Sequence, residues 1–158
     1  ALYYQSIGLT GAQVGLLLGL APLISLVGGP LLTGLADKTQ RHKLVLSLAL
    51  VAVILWSLVV PFVYSFPLLL LLIMFNALAA SPLNSLADSA TMSMLGNERA
   101  MYGRIRMGGS IGWGLMAYFT GLIVESRGLT WIFWIFAIGM AFNLLVVQGF
   151  SFGKAEEN

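Results

Sequence analysis

The chain has 158 residues, of which 9% are charged, where a globular domain carries about a quarter. Eight lysines and arginines against six acids leave a net charge of +2, and the mean hydropathy is +0.93. Apolar runs of about 20 residues exclude a soluble domain built on one mixed core, and bases spread among separate gaps exclude a nucleic-acid face.

Five apolar spans follow in order, none alternating with period two, which points to helices rather than a barrel. The fold class is therefore an all-α polytopic membrane protein. The first span, Gln13–Ala36, is preceded by Gly11 and contains Gly15 and Gly19, a spacing that lets helices approach closely in lipid. Its Pro22 and Pro30 predict a bend. The second, Leu44–Tyr64, is uniformly apolar around Trp56 and reads as lipid-facing or peripheral.

The third span, Pro67–Leu95, is apolar on every side as far as Ala80 and amphipathic from Ser81 to Ser89. A membrane helix that turns polar along one side faces protein or water. Asn84 and Asp88, four apart, share that side. The fourth span, Met107–Val124 (104–124 with its arginine-bearing first turn), repeats the small-residue spacing at Gly108, Gly112, Ala117 and Gly121. The fifth, Leu129–Phe150, is bulky again and reads as peripheral, with Trp131 and Trp134 expected near the interface.

Lys38, Arg41 and Lys43 share one gap, Arg99, Arg104 and Arg106 lie in or beside another, and Lys154 follows the last span. The gap Pro61–Pro67 has no charge and Glu125–Arg127 is nearly balanced. The positive-inside rule then puts loops 37–43 and 96–103 and the tail Gly153–Asn158 in the cytoplasm, with residues 1–12 outside. An external N-terminus without an export signal predicts a preceding helix, of which Ala1–Ser6 is the outer end. The expected organisation is an incomplete bundle over 1–152 and the start of a cytoplasmic linker over 153–158.

Asp88 and Arg106 are the two charges set inside spans that stand out. Burying either alone is costly, so each needs a partner or water. A structural ion pair, snorkelling of Arg106 to the interface, and a polar site all remain open on physical grounds. Between the first two spans, Asp37 precedes Lys38, Arg41 and Lys43 in a dense polar hinge, and His42, the single histidine, reads as a solvated loop residue. One histidine and no cysteine offer no imidazole or thiolate metal cluster. Gly108–Gly112 fits a nucleophile pattern around Ser110, and Gly112–Ala117 a dinucleotide fingerprint. Both need a strand that a membrane helix does not supply, so no catalytic residue, metal or cofactor is expected.

The loop Leu35–Lys43 resembles the signature between the second and third helices of the major facilitator superfamily, roughly Gly-x-Leu-Ala-Asp-Arg-x-Gly-Arg-Arg. Asp37, Lys38 and Arg41 fall on its acid and two of its bases, with Thr33 and Gln40 at its two glycines. The run Tyr102–Trp113 is similar to the fifth-helix motif of lactose permease and its relatives among oligosaccharide, nucleoside and phenylpropionate proton symporters. The resemblance implies that Arg106 binds substrate with Trp113 packed on it. It also implies that Asp88, eighteen positions earlier, shares the site, one methylene shorter than the family's acid; Asn84 joins Asp88 there.

On this resemblance the chain is helices two to six of the first six-helix bundle of a secondary transporter in a bacterial inner membrane. The implied partners are a sugar, nucleoside or aromatic-acid substrate, the lipid bilayer, a C-terminal six-helix bundle and a coupling proton. Asp37, Lys38 and Arg41 form the implied gating loop. The alternative is a half-length scaffold or partner-binding subunit that does not transport.

Overall fold

The computed structural model describes residues 1–96 and 98–149; Phe150 and the linker expected over 153–158 lie outside them. A short helix, α1 (Leu2–Ser6), precedes the first long one. There Thr10 and Gln13 form a capping box, with the Gln13 amide donating to Thr10 Oγ1 at 3.3 Å and the Thr10 amide to Gln13 Oε1 at 2.9 Å. Two orphan donors are met at once, so α2 (Gly11–Thr39) begins earlier than its apolar run. It continues through Pro22 and Pro30 as one helix.

The remaining elements are α3 (His42–Val59), α4 (Phe66–Ala80), α5 (Leu83–Leu95), α6 (Tyr102–Arg127) and α7 (Trp131–Gln148). With α4 and α5 taken together, five segments are long and apolar enough to cross a membrane. Among the described residues there is no strand, and the class is the expected all-α one.

The third span is two helices rather than one. Pro82 has no amide proton to give the Leu78 carbonyl. Instead the Ser81 amide turns to Leu78 O at 3.3 Å and the Ser81 hydroxyl donates to the same oxygen at 2.6 Å. That leaves the Ala77 carbonyl without its helical donor, and Ser25 Oγ of α2 fills the place at 3.1 Å. Gly28 of α2 lies against this break: a Cβ there would stand 2.7 Å from Leu78 Cδ1 and 3.0 Å from Ser81 Oγ.

Two apolar clusters mark the two ends of an up-and-down bundle. At one end Tyr3, Val14, Leu17, Val60, Leu69 and Phe133 pack together, with Tyr3 and Phe133 ring centroids 4.7 Å apart. At the other, Ala36, Leu46, Leu50, Leu86 and Val147 do so. The second span was expected at the periphery, yet α3 buries Leu46, Ala49, Leu50, Val53 and Ser57, more than any other described helix. Lipid tails and neighbouring helices are equally apolar, so greasiness does not tell one from the other. α3 and α7 are also tied by the Lys43 ammonium on the Gln148 carbonyl and by Gln148 Nε2 on Ser47 Oγ at 3.3 Å.

The glycine spacings behave differently from expectation too. Gly11, Gly15, Gly19, Gly108, Gly112 and Gly121 each have open space where a Cβ would go, and α6 has no buried residue. The close approach is made at Gly28, outside both spacings.

Gln40, at the signature's internal glycine, ends α2 in the left-handed region with φ of 52°. A side chain there costs about 1 kcal/mol, which is offset by its own carboxamide donating to Asp37 O at 2.7 Å. Gln40→Val is expected to lower stability by about 1–2 kcal/mol, because a branched Cβ is strained at positive φ and the side-chain hydrogen bond to Asp37 O is lost. Gln40→Gly should stay within about 1 kcal/mol of the parent in thermal melts, since it trades that bond for relief of strain. Equal losses in the two variants would show that the side-chain bond, not the backbone, holds the turn.

Candidate functional site

The break at Pro82 resets the face of the third span. Leu86 and Ala90 of α5 turn into the core, and Asn84 and Asp88 turn the other way. On α6, Tyr102, Arg106, Ser110 and Trp113 recur every three or four residues and therefore form one stripe. The two faces enclose an open cavity of about 430 Å³ lined by Asn84, Asp88, Arg106, Gly109, Ser110 and Trp113.

Arg106 joins the two walls. Its Nη1 donates to Asp88 Oδ2 at 3.2 Å and to the Tyr102 hydroxyl at 2.7 Å. The Arg106 side chain is 66% exposed and that of Asp88 49%, so the pair sits on the cavity wall rather than in the core. Ser110 Oγ donates to the Arg106 carbonyl at 3.2 Å, which ties that hydroxyl to its own helix. Among the described residues these contacts use one guanidinium nitrogen and one carboxylate oxygen, leaving Nη2, Nε and Asp88 Oδ1 available to a further partner. The cavity thus offers donors, acceptors and, in Trp113, a 77% exposed aromatic ring.

All four residues expected at the substrate site line this one cavity, but one detail differs. Trp113 was expected to pack on Arg106; the ring under the guanidinium is that of Tyr102, with its centroid 5.9 Å from the guanidinium carbon. Tyr102 precedes Arg106 by one helical turn, and that spacing is the signal by which it could have been found. Gly109 and Ser110 also join the lining, although the serine's pattern had pointed to a reaction the fold does not support.

The gating-loop residues are elsewhere, at the turn between α2 and α3. Asp37 Oδ1 is 2.8 Å from His42 Nε2, while Lys38 and Arg41 are exposed. The side chain of His42 is only 19% exposed, so it is a partner of Asp37 rather than a solvated loop residue. The helix reversal at Gln40 brings position 42 back toward the last turn of α2. Among the described residues no group of three or more metal-ligating side chains occurs.

The profile of the MFS_1 like family matches residues 1–158. The uncharacterized transporter YwbF of Bacillus subtilis (strain 168) is 31% identical over 134 residues, which is 85% of this chain and 33% of that protein. Maltose permease of Geobacillus stearothermophilus is 26% identical over 132 residues, 84% of this chain and 34% of the permease. The chain spans about a third of the length of the curated relatives it matches. No solved structure matches it.

Because water reaches both members of the Arg106–Asp88 pair, screening leaves it little weight in folding. Asp88→Asn and Arg106→Gln are each expected to leave the melting temperature of the purified protein close to that of the parent. A loss as large as that caused by a core truncation such as Leu69→Ala would show the pair to be a structural lock.

Proposed function

Since the chain belongs to the major facilitator superfamily, through its MFS_1 like family, we propose that it forms the substrate-binding part of a secondary transporter for a small hydroxylated solute. The observation that supports this is the cavity between α5 and α6, where Asn84, Asp88, Arg106 and Trp113 converge. A guanidinium and a carboxylate with unused donors and acceptors hold hydroxyl groups well where water is scarce. An aromatic ring beside them stacks against the apolar face of a sugar or base. The Arg106 and Asp88 charges cancel, so the cavity favours a neutral solute, a sugar or nucleoside, over an aromatic acid. The relative named maltose permease accords with the sugar.

In this reading the helical bundle is half of a machine that rocks about a midplane site. The relatives are about three times as long as the matched segment, which leaves room for a second bundle to close the open cavity and cover the exposed α6 helix. A proton is the coupling ion, the membrane is a bacterial inner membrane, and loops 37–43 and 96–103 are cytoplasmic. Asp37, Lys38 and Arg41 act there as a latch between the two bundles, with His42 holding Asp37 in place.

In proteoliposomes containing the full-length protein, uptake of radiolabelled maltose and uridine tests the reading. Arg106→Ala is expected to weaken binding of the transported solute by about 30-fold or more, as loss of a charged hydrogen-bond donor does, while membrane insertion is unchanged. Full binding by that variant would sink the site. A protonophore should abolish accumulation but leave equilibration, and accumulation that survives it excludes a coupling proton. Asp37→Asn is expected to slow uptake several-fold at unchanged solute affinity. A comparable loss of affinity instead would remove the latch role.

A further inference from the structure

The cavity wall on α5 begins at a break in a membrane helix, and the break is stitched to a different helix. Pro82 and Ser81 end the ladder of α4, and the carbonyl that loses its donor, Ala77 O, is met by Ser25 Oγ from α2 at 3.1 Å. Three residues further along α2, Gly28 allows the two helices to meet where a side chain would force the Leu78 side chain to move. A Cβ there would come within 2.7 Å of Leu78 Cδ1 and 3.0 Å of Ser81 Oγ. Gly29 continues the contact, with a Cβ position 3.7 Å from Ser81 O. Beyond the break, Ala36 of α2 and Leu86 of α5 lie in one buried cluster. α5 is therefore held to α2 at the break and again one turn beyond it, where Leu46 and Leu50 of α3 join the same cluster.

We propose that Ser25 and Gly28 are positioning residues: through the break at Ser81-Pro82 they set the direction of α5 and hence the placement of Asn84 and Asp88 in the cavity. The proposal rests on reading that cavity as the substrate site. Free of its i−4 hydrogen bonds at Pro82, α5 has no ladder of its own to fix its angle to α4. The angle is supplied from outside, by the Ser25 hydroxyl and the Gly28 contact of α2 at the break and by Leu46 and Leu50 of α3 against Leu86 beyond it. Asp37 lies in the last turn of the same helix, two to three helical turns beyond Gly28. Movement of α2 at that turn accordingly carries the Asn84–Asp88 wall with it.

The test uses the full-length protein in nanodiscs, with spin labels at Ser89→Cys on α5 and Ile111→Cys on α6, both outside the cavity lining, in a background without other cysteines. The label-to-label distance is read by pulsed electron resonance. Gly28→Leu is expected to shift the mean distance by about 2 Å or more, the scale of helix displacements at packed interfaces, and Gly28→Ala to shift it less in the same direction. Ser25→Ala should broaden the distribution, and Ser25→Thr, which keeps the hydroxyl, should restore it. A control pair on α3 and α7, Val51→Cys and Phe142→Cys, should report the parent distance throughout.

An 89–111 distance distribution unchanged in both mean and width in Gly28→Ala and Ser25→Ala overturns the proposal, and these milder variants carry the test if Gly28→Leu does not fold. Equal changes in the control pair also overturn it, since they would mark a general loosening. Maltose binding to unlabelled Arg106→Ala at parental affinity would refute the substrate reading alone, while a shifted 89–111 distance would still establish the mechanical coupling.

Discussion

Inside a bilayer a backbone carbonyl without a donor has no water to turn to, so any break in a membrane helix must be satisfied by protein. In this chain the constraint acts at Ser81-Pro82. Two carbonyls, those of Ala77 and Leu78, lose their ladder donors, and both are recovered by serine hydroxyls, one local and one from α2. The helix can then restart in a new direction. Everything polar that follows, from Asn84 to the pair with Arg106, depends on that restart. A straight helix through residue 82 would turn Asn84 and Asp88 toward the side on which Leu69, Ile73 and Ala77 are buried, instead of presenting them as a wall.

The site itself illustrates why a charge pair at a membrane protein's cavity differs from one in its core. A buried pair that loses one partner is strongly destabilised, which makes it a poor place to exchange contacts with a solute. Arg106 and Asp88 meet through single atoms on an open wall and keep most of their hydrogen-bonding capacity unspent. Tyr102 steadies the guanidinium from one turn below. The arrangement holds the arginine in place without saturating it, as the proposed solute site requires.

The turn between α2 and α3 solves a separate problem with local means. Reversal from α2 to α3 requires a residue at positive φ, and glutamine meets it by bonding its own side chain back to the helix end. The reversal returns His42 to within 2.8 Å of Asp37. An acid and a ring nitrogen that are five residues apart in sequence become partners only because the chain doubles back between them.

Much of the architecture was legible in the residues themselves. Five runs of membrane-crossing length, the loss of all-round greasiness after Ala80, and the depth of Asp88 and Arg106 follow from composition and helical period, because lipid permits so few backbone solutions. The eighteen-residue spacing and the arginine motif further pointed to a shared site for Asn84, Asp88, Arg106 and Trp113. What stayed hidden was which apolar surface meets which. α3 read as peripheral and is the most enclosed helix, and six regularly spaced glycines face open space while Gly28 makes the tight contact. Likewise Tyr102 rather than Trp113 underlies the guanidinium, and His42 pairs with Asp37. Sequence alone determined how many helices cross and where their polar groups lie, since those depend on local hydrophobicity. Only the tertiary structure decided the helix neighbours and side-chain partners, since close fit between faces, not hydrophobicity, selects contacts among surfaces that are all apolar.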